Sequence, residues 1–561
     1  MGHSIKLSVT VRSALQAKYT AAALRKIDAA VAAWIAAEKK RGITTVHVSL
    51  DESADMDPQG VKVLAGKVTA QAAKKAIDAL AKKLMPDYIV IIGGDDVIPY
   101  FRVPNPIYDP GPQGDPDQIV LSDNPYATSR AYRATSLKSY LVPDRVVGRI
   151  PDLPAHEGKG DPTTILAALG TATKWKPQPK SFFNEAYATS TETWRVAGEQ
   201  MMKYLGFPVA DLLVAPPVKD ETAKARAQLA RPVHMTKCHG DDPDSRFFGE
   251  SHAGDFPPVL ASGTLAGRVK PGALVAAVCC YGAGVFSPGG PLAKPRGSNA
   301  LPVAVAYLHA GALAFMGSTK IAYVGDTAPL CGDWIVASYL KRAMDGASLG
   351  RALLEAKQDY MADLQRQGKN PDTADEKTML EFILLGDPAI HPIASTVPLP
   401  ARVGPMAYMR RATLRAERRV ARVVVAAEVE KALPTRTRAA PPPPGLASRI
   451  FKAGASLLEK ANLKGLDPQQ ATASRLVASS YRAAAPRMAG RLSPAMALPT
   501  MGESIEYTWS VRLPSKTQGT RMAAIKRSAS AASSGPIRLL VLKVQTDAQG
   551  NVIRSRTLHG A

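Results

Sequence analysis

The chain has 561 residues, of which 46% are hydrophobic and 21% are charged. This composition is typical of a globular protein and excludes a mainly disordered one, and the length predicts about three or four domains. The net charge is +23 and is uneven: residues 396–561 hold 27 Lys and Arg against 8 Asp and Glu, a net +19, and the first 395 residues carry the remaining +4. The basic character therefore belongs to the C-terminal part.

The sequence has no segment with the features of a membrane span or a secretion signal. The N-terminus lacks an apolar core, and no later stretch reaches 18 uninterrupted apolar residues. The four cysteines have neither zinc-ligand spacing nor a disulfide framework, so we expect reduced thiols. These observations predict a protein of a bacterial-type cytoplasm without a transmembrane segment, a metal or another cofactor.

Residues 1–158 alternate helical and strand patterns and are predicted to form an N-terminal α/β subdomain. Its predicted helices cover residues 14–40 and 71–84, and its predicted strands cover residues 44–50, 88–92 and 145–150. The turn at residues 93–96, Gly-Gly-Asp-Asp, follows a strand and is typical of a loop rather than of a metal site.

Residues 159–395 continue the alternation and are predicted to form a second α/β subdomain. Its predicted helices cover residues 162–173, 193–205, 298–310, 333–344 and 348–367. Its predicted strands cover residues 184–190, 233–238, 273–278 and 312–316. This alternation predicts an α/β fold with a mainly parallel sheet flanked by helices.

Two predicted strands of this second subdomain end in chemically capable residues. His239 and Gly240 follow the strand at 233–238, and Cys279 and Cys280 follow the strand at 273–278. Ligands bind outside the carboxyl ends of strands in such sheets, so an imidazole and a thiol could meet there. An imidazole activates a thiol, whose ordinary pKa is about 8.5, by accepting its proton. The pattern therefore predicts a Cys/His pair for nucleophilic catalysis.

The doubled cysteine requires a choice of nucleophile. Cys280 is preferred because Tyr281 and Gly282 follow it, whereas Cys279 comes directly after the bulkier Val278. If the strand alternates faces, only one of the two thiols points into a cleft, and the other is a small core residue. Cys279 remains the alternative nucleophile. The backbone N–H groups of Gly240 and Cys280 are candidates for an oxyanion hole.

The His and Cys loops lie within a wider set of segments that resembles the clan CD cysteine peptidases, and most closely the gingipain family. The other matching segments are DYIVIIGGDDVIP at residues 87–99, LSDNPYA at 121–127, PDRVVGRIP at 143–151, GALAFMGST at 311–319 and FILLGDP at 382–388. The histidine lies 41 residues before Cys280, and the caspases of this clan have theirs about 50 residues upstream.

The resemblance implies a caspase-like α/β sandwich and hydrolysis of peptide bonds in a protein substrate. It assigns the catalytic dyad to His239 and Cys280, without naming an acidic residue that orients the histidine. Asp241, Asp242 and Tyr281 follow the two residues directly and are predicted to bind substrate. Acidic side chains there would favour cleavage after Lys or Arg.

The C-terminal part is predicted to be a basic extension with helices and a small β unit. A basic helix and a Pro-rich linker are predicted within residues 396–446, and a basic region within residues 447–561. The predicted helices cover residues 406–430 and 450–462, and the two predicted strands cover residues 504–513 and 537–545. A predicted turn at residues 547–550 leads into residues 551–556.

Several roles suit this extension. It could bind a regulatory partner, or its Arg-rich linker could be cleaved by the protein itself. Binding of nucleic acid or an anionic surface through phosphates is a further hypothesis, although no interleaved aromatic residues support base stacking. A catalytically silent caspase-like scaffold is the remaining alternative to a peptidase.

Overall fold

The computed structural model describes residues 4–111, 114–133, 137–156, 158–289, 299–367 and 369–394 of the main body. In the C-terminal part it describes residues 435–438, 472–477, 504–513, 538–547 and 552–560. The helices predicted at residues 406–430 and 450–462 lie outside the described residues.

The strands and helices are numbered in chain order. The strands are β1 (Ser4–Thr10), β2 (Ile43–Ser49), β3 (Tyr88–Ile92), β4 (Phe101–Pro104), β5 (Ile119–Ser122), β6 (Val147–Ile150), β7 (Ala186–Thr191), β8 (Leu212–Ala215), β9 (Val233–Lys237), β10 (Arg246–Phe248), β11 (Pro258–Ala261), β12 (Leu274–Val278), β13 (Ala314–Ser318), β14 (Tyr323–Val324), β15 (Phe382–Gly386), β16 (Thr435–Arg438), β17 (Thr472–Val477), β18 (Ser504–Leu513), β19 (Arg538–Asp547) and β20 (Val552–Gly560). The helices are α1 (Arg12–Lys18), α2 (Ala21–Lys40), α3 (Ser53–Met56), α4 (Ala70–Leu84), α5 (Thr163–Lys174), α6 (Arg195–Leu205), α7 (Ala223–Gln228), α8 (Val303–His309), α9 (Gly332–Met344), α10 (Leu349–Arg366) and α11 (Thr373–Glu381).

Ten strands form the central sheet in the order β2-β1-β3-β6-β15-β13-β12-β9-β7-β8. Neighbouring strands run parallel except for β13 and β15, which pair antiparallel. The predicted mainly parallel sheet is confirmed. Strands on both sides of the proposed boundary at residues 158 and 159 belong to this one sheet, and the boundary itself stays a prediction.

A buried ion cluster holds β1 in the sheet, although the sequence pattern did not predict this strand. The ammonium group of Lys6 is fully buried, 2.8 Å from Glu38 and 2.7 Å from Asp387. Trp34 donates its ring N–H to Asp387 at 2.9 Å. Because an unpaired buried charge would be costly, a lysine at this position needs carboxylates from distant parts of the chain.

The prediction of a single helix at residues 14–40 is wrong in one detail, because the structure has two helices there, α1 and α2. Thr20 lies at the break, has extended backbone angles and accepts a hydrogen bond from the N–H of Ala23 at 3.2 Å. Tyr19 turns inward and donates its hydroxyl to Asp152 at 2.7 Å. Threonine is a preferred N-cap residue, so α2 begins a new helix there. The helix predicted at residues 298–310 likewise begins only after Pro302, as α8.

The C-terminal strands form a second, antiparallel sheet with one contribution from the main body. Its order is β14-β20-β19-β18-β17-β16, and β14 belongs to the main body. The strands predicted at residues 504–513 and 537–545 coincide closely with β18 and β19. The segment after the predicted turn forms a further strand, β20, which runs from Val552 to Gly560. Among the residues that the structure describes, no helix has both the length and the apolar character needed to cross a lipid bilayer.

His234 in β9 makes stability depend on pH. Its Nε2 lies 2.9 Å from the carbonyl oxygen of Arg231 and therefore carries the proton, and Nδ1 accepts the hydroxyl of Tyr307 at 3.0 Å. Burial lowers the pKa of His234 from 6.5 to about 4. The folded state thus favours the neutral ring, and the stability from this preference is complete above pH 6.5 and is lost as the pH falls toward 4.

Because of this histidine, we expect the free energy of unfolding to be roughly 2 kcal/mol lower at pH 5 than at pH 7.5. Urea unfolding at the two pH values measures the difference. His234→Gln, which cannot titrate, should lose less stability than the wild type over this range, whereas His252→Gln at an exposed position should behave like the wild type. An equal loss in wild type and His234→Gln would contradict the assignment.

Candidate active site

The parallel pairing of β9 and β12 places the predicted dyad side by side along the backbone. Lys237 pairs with Val278 at the end of the two strands, so His239 and Cys280 each leave the sheet two residues later. A Cβ atom added to Gly240 would overlap the carbonyl oxygen of Cys280. The backbone after the histidine therefore lies directly against the backbone of the cysteine.

The imidazole of His239 is buried and held on several sides. Its Nε2 lies 2.9 Å from Oε2 of Glu250. Its ring centroid lies 4.3 Å from that of Trp194 and 5.1 Å from that of Phe256. Its backbone exchanges hydrogen bonds of 2.9 and 2.8 Å with Phe248, where the chain returns after the loop. Rings and backbone together fix the orientation of the imidazole.

Glu250 is the acidic partner of the histidine that the sequence pattern did not reveal. Its carboxylate is buried and accepts the hydroxyl of Thr193 at 2.8 Å, in addition to its contact with His239. Its N–H donates to the carbonyl of Ala215 at 3.1 Å. The only signal in the sequence is the apolar pair Phe247-Phe248, which is typical of a short strand. This strand returns past His239, and Glu250, two residues after Phe248, therefore reaches the imidazole.

Cys280 lies at the other side of this strand end, in an apolar cluster. Its Sγ lies 4.0 Å from the carbonyl oxygen of Ala322, and its side chain is 2% exposed. The neighbours in the cluster come from the main body and the C-terminal sheet: Ile107, Ile321, Tyr323, Cys331, Ala374, Leu539, Val541 and Leu558. The sulfur and the imidazole are thus held by different sets of neighbours.

Cys279 belongs to a separate core cluster. It packs with Cys238, Ala277 and Phe315 inside the main body and is fully buried. The carbonyl of Cys279 accepts the hydroxyl of Ser318 at 2.7 Å, which fixes the backbone just before Cys280. The two adjacent thiols therefore face different surroundings.

Burial dominates the acidity of both thiols. It raises the pKa of Cys279 and of Cys280 well above the ordinary value. For Cys280 the carbonyl of Ala322 and the charge of Lys377 act in the opposite direction, and Glu381 and Asp117 add to the increase. The surroundings of Cys280 therefore favour the protonated thiol.

The predicted substrate-binding residues lie on the two loops that follow the strands. Tyr281 has a positive φ of 54° and donates its hydroxyl to Asp117 at 3.0 Å. Asp241 is half-buried and Asp242 is exposed, with a carboxylate oxygen of Asp242 3.8 Å from the ammonium group of Lys320. That ammonium group also lies 3.4 Å from Asp117. The His and Cys loops are therefore connected through Lys320 and Asp117.

The contact at Gly240 leads to a prediction on stability. Gly240→Ala would force a Cβ into a backbone carbonyl that cannot rotate away, so we expect a loss of about 3 kcal/mol or more in the free energy of unfolding. Urea denaturation measures it. The control is Gly263→Ala, where nothing lies within 4 Å of the added Cβ, and its effect should stay within about 1 kcal/mol. Equal stability of the two variants would show that residues 240 and 280 are not in close contact.

The residue types at the site determine which chemistry it can perform. Within the described part of the chain, no group of three or more His, Cys, Asp or Glu side chains is arranged to hold a metal ion. The chemistry available at His239, Glu250 and Cys280 is proton transfer and thiol attack, which need only these side chains.

Comparison with protein families locates the cysteine loop within a known group. Residues 268–393 match the model of Peptidase family C25. The resemblance to the gingipain family of clan CD is thereby confirmed, and the mainly parallel sheet flanked by helices is consistent with a caspase/gingipain-like α/β fold. The C25 segment contains Cys279, Cys280 and Tyr281, whereas His239 and Glu250 precede it.

Other comparisons add little to the C25 match. No curated protein matches the chain. A solved structure described as "Structure of Protease" is similar with a TM-score of 0.46 and 13% identity, covering 72% of this chain and 82% of that one. The C25 segment itself supports a cysteine-type peptidase activity and hence a protein substrate.

Proposed function

We propose that the chain is a cysteine endopeptidase that hydrolyses peptide bonds through Cys280 and His239. The observation that carries the proposal is the junction of the two strand ends, where the backbone at Gly240 lies against Cys280. The C25 match at the cysteine loop supports the same activity. Glu250 joins the dyad as the residue that orients the imidazole.

The reaction begins with transfer of the thiol proton of Cys280 to His239. Because Nε2 faces Glu250, Nδ1 is the nitrogen that takes the proton, and the carboxylate stabilises the imidazolium that forms. The thiolate attacks the peptide carbonyl, and the proposed oxyanion hole consists of the backbone N–H groups of Gly240 and Cys280. The C–N bond breaks, the amine leaves with the proton from His239, and a water then hydrolyses the thioester.

A preference for Lys or Arg before the cleaved bond is the finer part of the proposal. Asp241 and Asp242 follow His239 directly and give this loop a negative charge. Lys320, 3.8 Å from Asp242, would have to exchange this carboxylate for a basic substrate side chain. A peptide-library cleavage profile should show basic residues before the cleaved bond, and Asp241→Asn with Asp242→Asn should weaken that preference. An unchanged cleavage profile would show that Asp241 and Asp242 do not select the substrate.

A catalytically silent scaffold is the second candidate, because Cys280 is almost fully covered. A thiol-reactive peptide probe separates the two functions. A peptidase should form a covalent adduct at Cys280 once this thiol is exposed, and the Cys280→Ala variant should not. Absence of an adduct at any cysteine, both in the wild-type chain and in a variant that exposes Cys280, would favour the scaffold. A bacterial-type cytoplasmic location stays a prediction.

A further inference from the structure

The C-terminal sheet covers the proposed nucleophile. Leu539 and Val541 of β19 and Leu558 of β20 belong to the same buried cluster as Cys280. Each of these three side chains is at most 1% exposed. The low exposure of the sulfur is therefore due in part to residues more than 250 positions later in the chain.

The last strand, β20, is docked along an edge of the main body beside the thiol. It pairs antiparallel with β14, with Tyr323 opposite Gly560 and Val324 opposite His559. The residue just before β14 is Ala322, whose carbonyl oxygen contacts the sulfur of Cys280. Addition to a strand edge is one way in which a protein binds an extended peptide, and β20 occupies such an edge at β14, directly after Ala322.

Three alternate side chains of β20 face the main body. Arg554, Arg556 and Leu558 contact it, whereas Ile553 is 49% exposed. Near the end of the strand His559 also reaches the main body, where its ring lies 3.6 Å from the carboxylate of Asp326.

Ion pairs add to the apolar contact of β20. The guanidinium groups of Arg554 and Arg556 lie 3.1 and 3.0 Å from the carboxylate of Asp375, and Arg556 also pairs with Asp372. Arg556 donates to the sulfur of Cys331 at 3.2 Å. The docking site therefore recognises an extended strand with arginines two residues apart and a following apolar side chain.

The C-terminal sheet can leave without breaking the central sheet. Among the described residues, the ten strands of the central sheet all come from the main body, and β14 is the one main-body strand that pairs with the C-terminal sheet. Detachment returns both the arginines and the two aspartates to water, so no charge is left buried and unpaired.

We propose that the C-terminal sheet, through β20, is an intramolecular plug that occupies the edge beside Cys280 and must detach before a substrate reaches the sulfur. This inference rests on the proposed peptidase function, since it regulates the same site. Docking holds the thiol buried and protonated, and release exposes it to substrate and to His239.

Alkylation of the full-length chain by iodoacetamide tests the plug without requiring catalysis. Peptide mapping by mass spectrometry follows each of the four cysteines separately. Leu558→Ser removes the main apolar contact of β20 and should increase the alkylation rate of Cys280 about ten-fold or more. Ile553→Ser, on the exposed face of the same strand, should leave the rate unchanged. Arg554→Gln combined with Arg556→Gln should reproduce the increase by removing the ion pairs.

The core thiols Cys238 and Cys279 distinguish detachment from general unfolding. They should remain unreactive while Cys280 and Cys331, which share the covered cluster, become reactive. An unchanged rate at Cys280 in both release variants, or an equal increase at all four cysteines, would overturn the proposal. If Cys280 becomes accessible but no peptide is cleaved, the plug stands and the proposed function fails. If peptides are cleaved while accessibility is unchanged, the plug alone fails.

Discussion

Cys280→Ala is expected to reduce kcat/KM for a cleavable peptide by about 10⁴-fold or more, because it removes the atom that forms the acyl-enzyme. Alanine is slightly smaller than cysteine, and the contact between the thiol and the carbonyl of Ala322 is long, at 4.0 Å, so the fold should persist. Circular dichroism and the urea midpoint verify the fold. Rates are compared in the wild-type chain and in the Leu558→Ser background, because the plug lowers the basal rate.

Cys279→Ala is the matched control for this prediction. Its side chain lies in the separate core cluster with Cys238 and Phe315 rather than in the cluster of Cys280, so the substitution should change stability more than turnover. We expect kcat/KM to stay within about ten-fold of the wild type. Full activity of Cys280→Ala together with loss of activity in Cys279→Ala would identify Cys279 as the nucleophile.

Glu250→Gln is expected to lower kcat by about 10²- to 10⁴-fold with little change in KM. The carboxylate lies 2.9 Å from Nε2 of His239 and is held by the hydroxyl of Thr193 at 2.8 Å. Glutamine keeps the size of the side chain but loses the charge that stabilises the imidazolium. It can also present its NH₂ group to the ring and reverse the tautomer.

A purely structural role for Glu250 would give a different result. The pH dependence of kcat/KM reports on the free imidazole, and loss of the carboxylate should move the limb assigned to His239 to lower pH. Glu250→Asp, which keeps the charge on a shorter side chain, should recover part of the activity. The control is Glu192→Gln, a nearby carboxylate that accepts the N–H of His252, with an expected change below about three-fold. An unshifted pH profile in Glu250→Gln would limit this residue to a structural role.

The strand pattern and the family motifs were sufficient to predict the fold class. The runs at residues 88–92, 233–238 and 273–278 are short, apolar or β-branched and bounded by turn residues, and each forms a strand of the central sheet. By contrast, β1 contains Lys6, a residue that is buried only because Glu38 and Asp387 reach it. A pattern read from a local window contains no information on such distant partners.

The candidate site shows the same limit. The positions of His239 and Cys280 at neighbouring strand ends follow from the order of local motifs. The contact of Glu250 with the imidazole could not be predicted from these motifs, because it depends on the path of the loop that returns through Phe248. The cover over Cys280 depends on pairing between β14 and β20, which are separated by more than 200 residues. Such long-range pairing has no signature in the spacing of either strand.

The central claim is that His239 activates the thiol of Cys280. Covalent labelling by a peptidyl acyloxymethyl ketone tests it most directly, with the adduct located by peptide mapping in the wild-type chain and in His239→Ala, each also carrying Leu558→Ser. We predict that the adduct forms at Cys280 and that its rate falls by about 10²-fold or more without the imidazole. An adduct at Cys279, or a rate at Cys280 that is the same with and without His239, would contradict the account.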